Sequence, residues 1–112
     1  MIRAAQSESL KGFSTGDLIL RPFGGEKLMV VRVEAPKGAV ALAHAHPHEQ
    51  MSLILTGRVR FRIQHDEQVI GSGEIVHIPS NVEHEAEFLE DSIIFDIFHP
   101  IREDFLAKVD EQ

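Results

Sequence analysis

The sequence predicts an all-β fold, a barrel or sandwich of short strands, and three observations carry that prediction. Short apolar runs recur at close spacing along the chain. Turn residues separate them, among them 8 glycines and 5 prolines. One stretch, near the C-terminus, has helical character, and such a pattern builds closed or paired antiparallel sheets.

The elements follow in order. Phe13 to Phe23 forms a strand pair with what comes after it, because Gly24-Gly25-Glu26 is a hairpin signal leading into Lys27 to Ala35. In that second run Met29, Val31 and Val33 share one face, and Arg32 and Glu34 the other. Pro36-Lys37-Gly38 is a turn, and Val40 to His46 reads as the strand that bears ligands. Met51 to Leu55 is the next strand, ended by Thr56-Gly57. From Arg58 to Ile63 the alternation is unbroken, with Val59, Phe61 and Ile63 against Arg58, Arg60 and Arg62. Period-two alternation marks a half-buried strand. Its arginine stripe is either a solvated outer face that discourages edge pairing or a patch that binds acids.

His65-Asp66-Glu67 reads as a turn, Gln68 to Ile70 as a short strand and Gly71-Ser72-Gly73 as another turn. Ile75 to Ile78 is a strand stopped by Pro79, and Glu85 to Leu89 and Ser92 to His99 are the last two. Ser92 to His99 is apolar on both faces, so it is either central or covered from outside. Ile93, Phe95 and Ile97 on one face would suit a homodimer contact. Arg102 to Val109 is the helical segment.

Length and composition bound the rest. A chain of 112 residues is read as one domain, 1–112, able to bury about two-thirds of its unfolded surface. With 43% hydrophobic and 26% charged residues it has a soluble, globular composition. The formal net charge of −7 argues against nucleic acid as a partner, since phosphate binding needs clustered Lys and Arg. An anionic ligand would have to be held by local positive charge. The absence of cysteine excludes disulfides and thiolate metal sites. The N-terminus lacks the apolar run of a signal peptide and no stretch approaches a membrane span, so a cytoplasmic location without membrane contact is expected.

The chemistry concentrates between Gly38 and Gly57. His44, His46 and His48 occupy alternate positions, and in an extended strand His44 and His46 project the same way. Imidazole nitrogens so placed can grip one ion. Gln50 continues the even parity if the strand stays regular through Pro47, whereas Glu49 faces away. A second stretch, Gly73 to His84, brings another histidine after a Pro-Ser-Asn turn that can fold back onto the first. His48 lies just past Pro47 and is read as structural or as a support for the ligands; His65, His77 and His99 are read as non-ligands.

Together these stretches resemble the two motifs of the cupin family. One is a Gly, five residues, His-x-His, three residues, an acid or amide, six residues and a Gly, here on Gly38, His44, His46, Gln50 and Gly57. The other is a Gly, five residues, a Pro and a His five further on, here on Gly73, Pro79 and His84. Gln50 stands where the family usually has Glu, and Asn81 where the second motif usually has Gly. The resemblance implies a double-stranded β-helix, the cupin jelly roll. It also implies one divalent transition metal (Zn, Ni, Mn, Fe or Co) held by His44, His46, Gln50 and His84. Three neutral imidazoles and an amide oxygen suit any of these ions, and a set without a carboxylate leaves the ion its full double charge.

A narrower resemblance, over about the last two-thirds of the chain, is to the pectin-degradation cupins. It rests on His46-Pro-His-Glu-Gln50, Pro79-Ser-Asn-Val-Glu-His84 and the Asp-x-Phe-x-x-x-Arg spacing of Asp96, Phe98 and Arg102. It implies ring opening of 4,5-unsaturated monouronates to the linear keto acid, with Asp96, Phe98 and Arg102 facing the substrate. A carboxylate beside a metal can move a proton between ring oxygen and carbon, a phenyl ring can wall a sugar, and a guanidinium fork matches a uronate carboxylate. The alternatives are that Asp96 caps a turn, Phe98 is core, and Arg102 pairs with Glu103 or Asp104. Two other functions compete: an oxygen-using cupin with a redox-active metal, and a cupin that binds a small acid without turning it over.

Overall fold

The computed structural model describes residues 1–111. Its strands are β1 (Phe13–Thr15), β2 (Leu18–Gly24), β3 (Met29–Ala35), β4 (Val40–His44), β5 (Glu49–Thr56), β6 (Arg58–Ile63), β7 (Asp66–Gly71), β8 (Ile75–Ile78), β9 (His84–Phe88) and β10 (Ser92–His99); helix α1 is Glu103–Asp110. They form two antiparallel sheets, of order β1-β2-β3-β10-β5-β8 and β4-β9-β6-β7. From β3 onward every connection except the β6–β7 hairpin crosses from one sheet to the other. That winding is an all-β jelly roll, as expected.

The inner faces follow the period-two pattern. Met29, Val31 and Val33 of β3 are buried on one side of the core, and Val59 and Phe61 of β6 with Ala86 and Phe88 of β9 on the other, in one hydrophobic cluster. Strand β10 is central, hydrogen-bonded to β3 and β5. Its inner residues Ile94 and Phe98 are buried. Its outer residues Ile93, Phe95 and Ile97 share the outer face of the larger sheet with exposed Val30, Met51, Leu55 and Ile75.

The arginine stripe of β6 is matched by glutamates. Arg60 pairs with Glu67 at 2.9 Å and Glu87 at 2.6 Å, Arg62 with Glu85 at 2.9 Å and Glu83 at 3.3 Å, and Arg58 with Glu90 at 3.5 Å. This is the outer-face reading rather than the acid-binding one. Residues ahead of β1 lie along β2 and β3: Arg3 stacks over Phe23, Arg32 donates to Ser7 and Arg21 to the Leu10 carbonyl. No helix among the described residues is long and apolar enough to cross a membrane.

Several boundaries differ from expectation. The run Phe13 to Phe23 pairs with the run after it as expected, β2 with β3, but it also contains a hairpin of its own, β1 pairing with β2 across Gly16-Asp17. The turn placed at His65-Asp66-Glu67 is Gln64-His65, and Asp66 and Glu67 pair with Ile63 and Arg62. Gln64 there has φ of 54°. The strand drawn to His46 stops at His44, and β5 begins at Glu49.

The motif glycines have a common backbone reason. Gly38, Gly57 and Gly73 all have positive φ, and at Gly57 a Cβ would also meet the Asp91 carbonyl at 2.7 Å.

Candidate metal centre

Three imidazoles meet at one end of the interior. His44 and His84 are register partners on β4 and β9 of the smaller sheet, with ring centroids 4.3 Å apart. His46 reaches the same point from the loop after β4, 4.9 Å from the His84 ring. Strand alternation therefore does not place His46: β4 has ended, and the ladder is already irregular between Ala41 and His44. The loop is held by Asn81, whose N–H donates to the His46 carbonyl at 2.8 Å. Asn81 has φ of 64°, the conformation for which its motif position usually carries Gly, and Asn tolerates it better than most residues.

Gln50 arrives from the opposite sheet. On β5 it faces inward, pairs in register with Phe98 of β10, and brings Oε1 to 3.0 Å from His46 Nε2. Parity carried through Pro47 is not the reason; the loop from 45 to 48 breaks the strand and switches sheets.

The donor set fits a cation. Each histidine turns Nδ1 to a backbone carbonyl: His44 to Leu42 at 2.7 Å, His46 to His48 at 3.0 Å and His84 to Val82 at 2.9 Å. A carbonyl only accepts, so Nδ1 carries the proton and Nε2 keeps its lone pair. The three rings can put ligand nitrogens within 4.8 Å of one another. At His46 the lone pair then faces the Gln50 Oε1 lone pair with no proton between, a conflict that a cation removes. Burial, reinforced by Arg102 and His84, pushes His46 down to about 4, and burial also lowers His84. Both are thus neutral near pH 7, the form that binds metal.

Beside this cluster lies a cavity of about 400 Å³. Asp96, Phe98 and Arg102 line it together with His44, Gln50 and His84. Asp96 sits mid-strand on β10, not at a turn, and accepts a hydrogen bond from its cross-strand partner Ser52 at 2.6 Å. Enclosure by protein pushes its carboxyl up to about 6, against the Ser52 and Gln50 donors and the Arg102 charge. Phe98 is core, 2% exposed, with its ring 5.7 Å from both His46 and Phe105. Arg102 stacks 3.9 Å above Phe105 and forks onto Asp104 at 3.1 and 2.9 Å, the local pairing that sequence left open. Asp104 takes two of its five N–H donors.

His48 supplies the carbonyl for His46 and packs 6.3 Å from Phe98. His77 pairs with Glu49 at 2.8 Å on the outer face of the larger sheet. Ser52 went unnoticed in sequence, where it is one polar residue in the run Met51-Ser-Leu-Ile-Leu. Its signal was a shared parity with Gln50 on an inward face.

The family model for the cupin domain matches residues 31–98. An RmlC-like cupin from Shewanella frigidimarina NCIMB 400 is similar in structure, with a TM-score of 0.86 and 28% identity over 94% of this chain and 96% of that one. KdgF from Halomonas sp. gives a TM-score of 0.81 and 25% identity over 87% and 94%. A predicted oxalate decarboxylase from Thermotoga maritima, at 16% identity and a TM-score of 0.78 over 88% and 100%, shares the fold. No curated protein matches the chain.

Proposed function

The chain belongs to the cupin domain family, and on that premise we propose that it is a metal-dependent enzyme opening the ring of 4,5-unsaturated monouronates to the linear keto acid. The observation that carries this reading is that Asp96, Phe98 and Arg102 line one cavity with His44, Gln50 and His84. These are the residues that the resemblance to pectin-degradation cupins assigns to substrate and metal, and a KdgF structure is among the similar ones.

His44, His46, His84 and Gln50 would hold the ion, which when bound supplies a Lewis acid for an enol or carboxylate oxygen. Arg102 orients the substrate carboxylate with the donors that Asp104 leaves free, and Phe98, packed against His46 and Arg102, backs the wall of the cavity. Asp96 moves the proton. Ring opening breaks the bond between C1 and the ring oxygen as the C1 hydroxyl gives up its proton to become an aldehyde. The released enol at C5 becomes a ketone by taking a proton at C4, so the change is an isomerisation with nothing gained or lost. A carboxylate enclosed by protein beside the reacting atoms can accept and release that proton.

The test is the ultraviolet absorbance of 4,5-unsaturated galacturonate, because opening removes the conjugated double bond. Native protein should speed the loss and Asp96→Ala should not. Equal rates for both proteins would remove Asp96 from the chemistry.

A second reading draws on the apolar part of the cavity lining, to which Phe13, Leu20, Val33 and Phe88 contribute. They favour a cupin that binds a small acid with an apolar part and releases it unchanged. Calorimetric binding without turnover would select it. A homodimer through the exposed outer face of the larger sheet is also proposed, and light scattering of native protein against Ile97→Arg tests it.

A further inference from the structure

We infer that Ser52 is a positioning residue that decides which end of the Gln50 amide meets the metal. The inference rests on the metal-centre reading above. An amide offers an oxygen and a nitrogen of nearly equal size, and only the oxygen ligates. Something must therefore exclude the reversed rotamer.

Ser52 does so through its single proton. Its Oγ donates to Asp96 at 2.6 Å, which leaves lone pairs toward Gln50, and Gln50 Nε2 donates into them at 3.0 Å. The amide nitrogen is thereby drawn toward Ser52 and Oε1 is turned to His46. Ser52 is 0% exposed, so no bulk water can substitute for its hydroxyl. Register fixes the geometry: Ser52 faces Asp96, and Gln50 faces Phe98, on the same two antiparallel strands. The chain amide, hydroxyl, carboxylate also polarises Oε1 in the direction that improves it as a ligand. The negative charge usual at the Gln50 position of the family motif is thus kept close by, on Asp96, which the Gln50 amide also approaches.

The experiment is a double-mutant cycle on the full chain, with Zn²⁺ and Co²⁺ affinity measured at pH 8 by competition against a chromophoric chelator. Ser52→Ala should weaken binding by about 10–100-fold in the native background. In the Gln50→Glu background the same change should cost little, because a carboxylate presents an oxygen whichever way it turns. Equal losses in both backgrounds, or none in either, would overturn the inference while leaving the metal centre in place. Native protein that binds neither ion would overturn both. Metal-free melting confirms that each variant folds. If Ser52→Ala does not, Asp96→Leu asks the same question, since it frees the Ser52 proton to donate to Oε1; it should show the same dependence on background, and its absence counts against the inference.

Discussion

The backbone N–H of Asn81 donates to the carbonyl of His46 at 2.8 Å, tying the turn of the second motif to the loop that carries a ligand of the first. The two motifs are therefore one mechanical unit. Asn81 makes this bond from a left-handed backbone, φ 64°. Replacing it with Val, which resists that conformation, should cost about 1–3 kcal/mol and weaken metal binding together. Asn81→Gly should keep both. Thermal melts and Zn²⁺ titrations of the two variants check this, and a Val variant with native affinity would separate the turn from the site.

Asp96 gives a pH dependence of defined sign. In the metal-free fold its carboxyl sits at about 6 against the usual 3.8, so ionisation is easier in the unfolded chain. The charged form therefore costs stability above pH 6, and the cost fades as the pH falls toward 4. Asp96→Asn should stabilise the metal-free protein by about 1–3 kcal/mol at pH 8, with the gain gone near pH 4. Chelator-treated samples melted across that range would show it. A gain that is constant with pH would contradict the assignment.

Arg102 is shared between Asp104 and the cavity. If it orients the substrate carboxylate, removing its competitor should help: Asp104→Asn lowers KM with kcat nearly unchanged. Arg102→Lys keeps the charge but loses the fork, and should raise KM by roughly 10-fold, about 1.4 kcal/mol. Steady-state kinetics of both variants decide the matter. Equal KM values across the series would leave Arg102 as a support for Phe105 and α1.

Much of the fold was legible because its causes are local. The alternation of Val59, Phe61 and Ile63 and the shared face of Met29, Val31 and Val33 report burial directly. The spacing of Gly38, Gly57 and Gly73 marks positions of positive φ, which sequence can flag without knowing what packs nearby. The site was legible in membership more than in cause. His46 and Gln50 were named from an alternation that the loop from 45 to 48 does not continue; tertiary placement, through Asn81 and through β5 crossing to the other sheet, brings them in. The pairing of His44 with His84, 40 positions apart, and of Ser52 with Asp96 follows from strand register, which no local pattern contains. Asp96 stands out through its spacing to Phe98 and Arg102, whereas Ser52 shares only its parity with Gln50, and that parity does not reveal Asp96 as its partner without the register.

The most direct measurement of the central claim follows the ultraviolet absorbance of 4,5-unsaturated galacturonate with native protein, with protein stripped by a chelator, and with stripped protein reloaded with a divalent ion. The account predicts that stripping returns the rate to the spontaneous background and reloading restores it. A native rate equal to that background, or one indifferent to stripping, would contradict it.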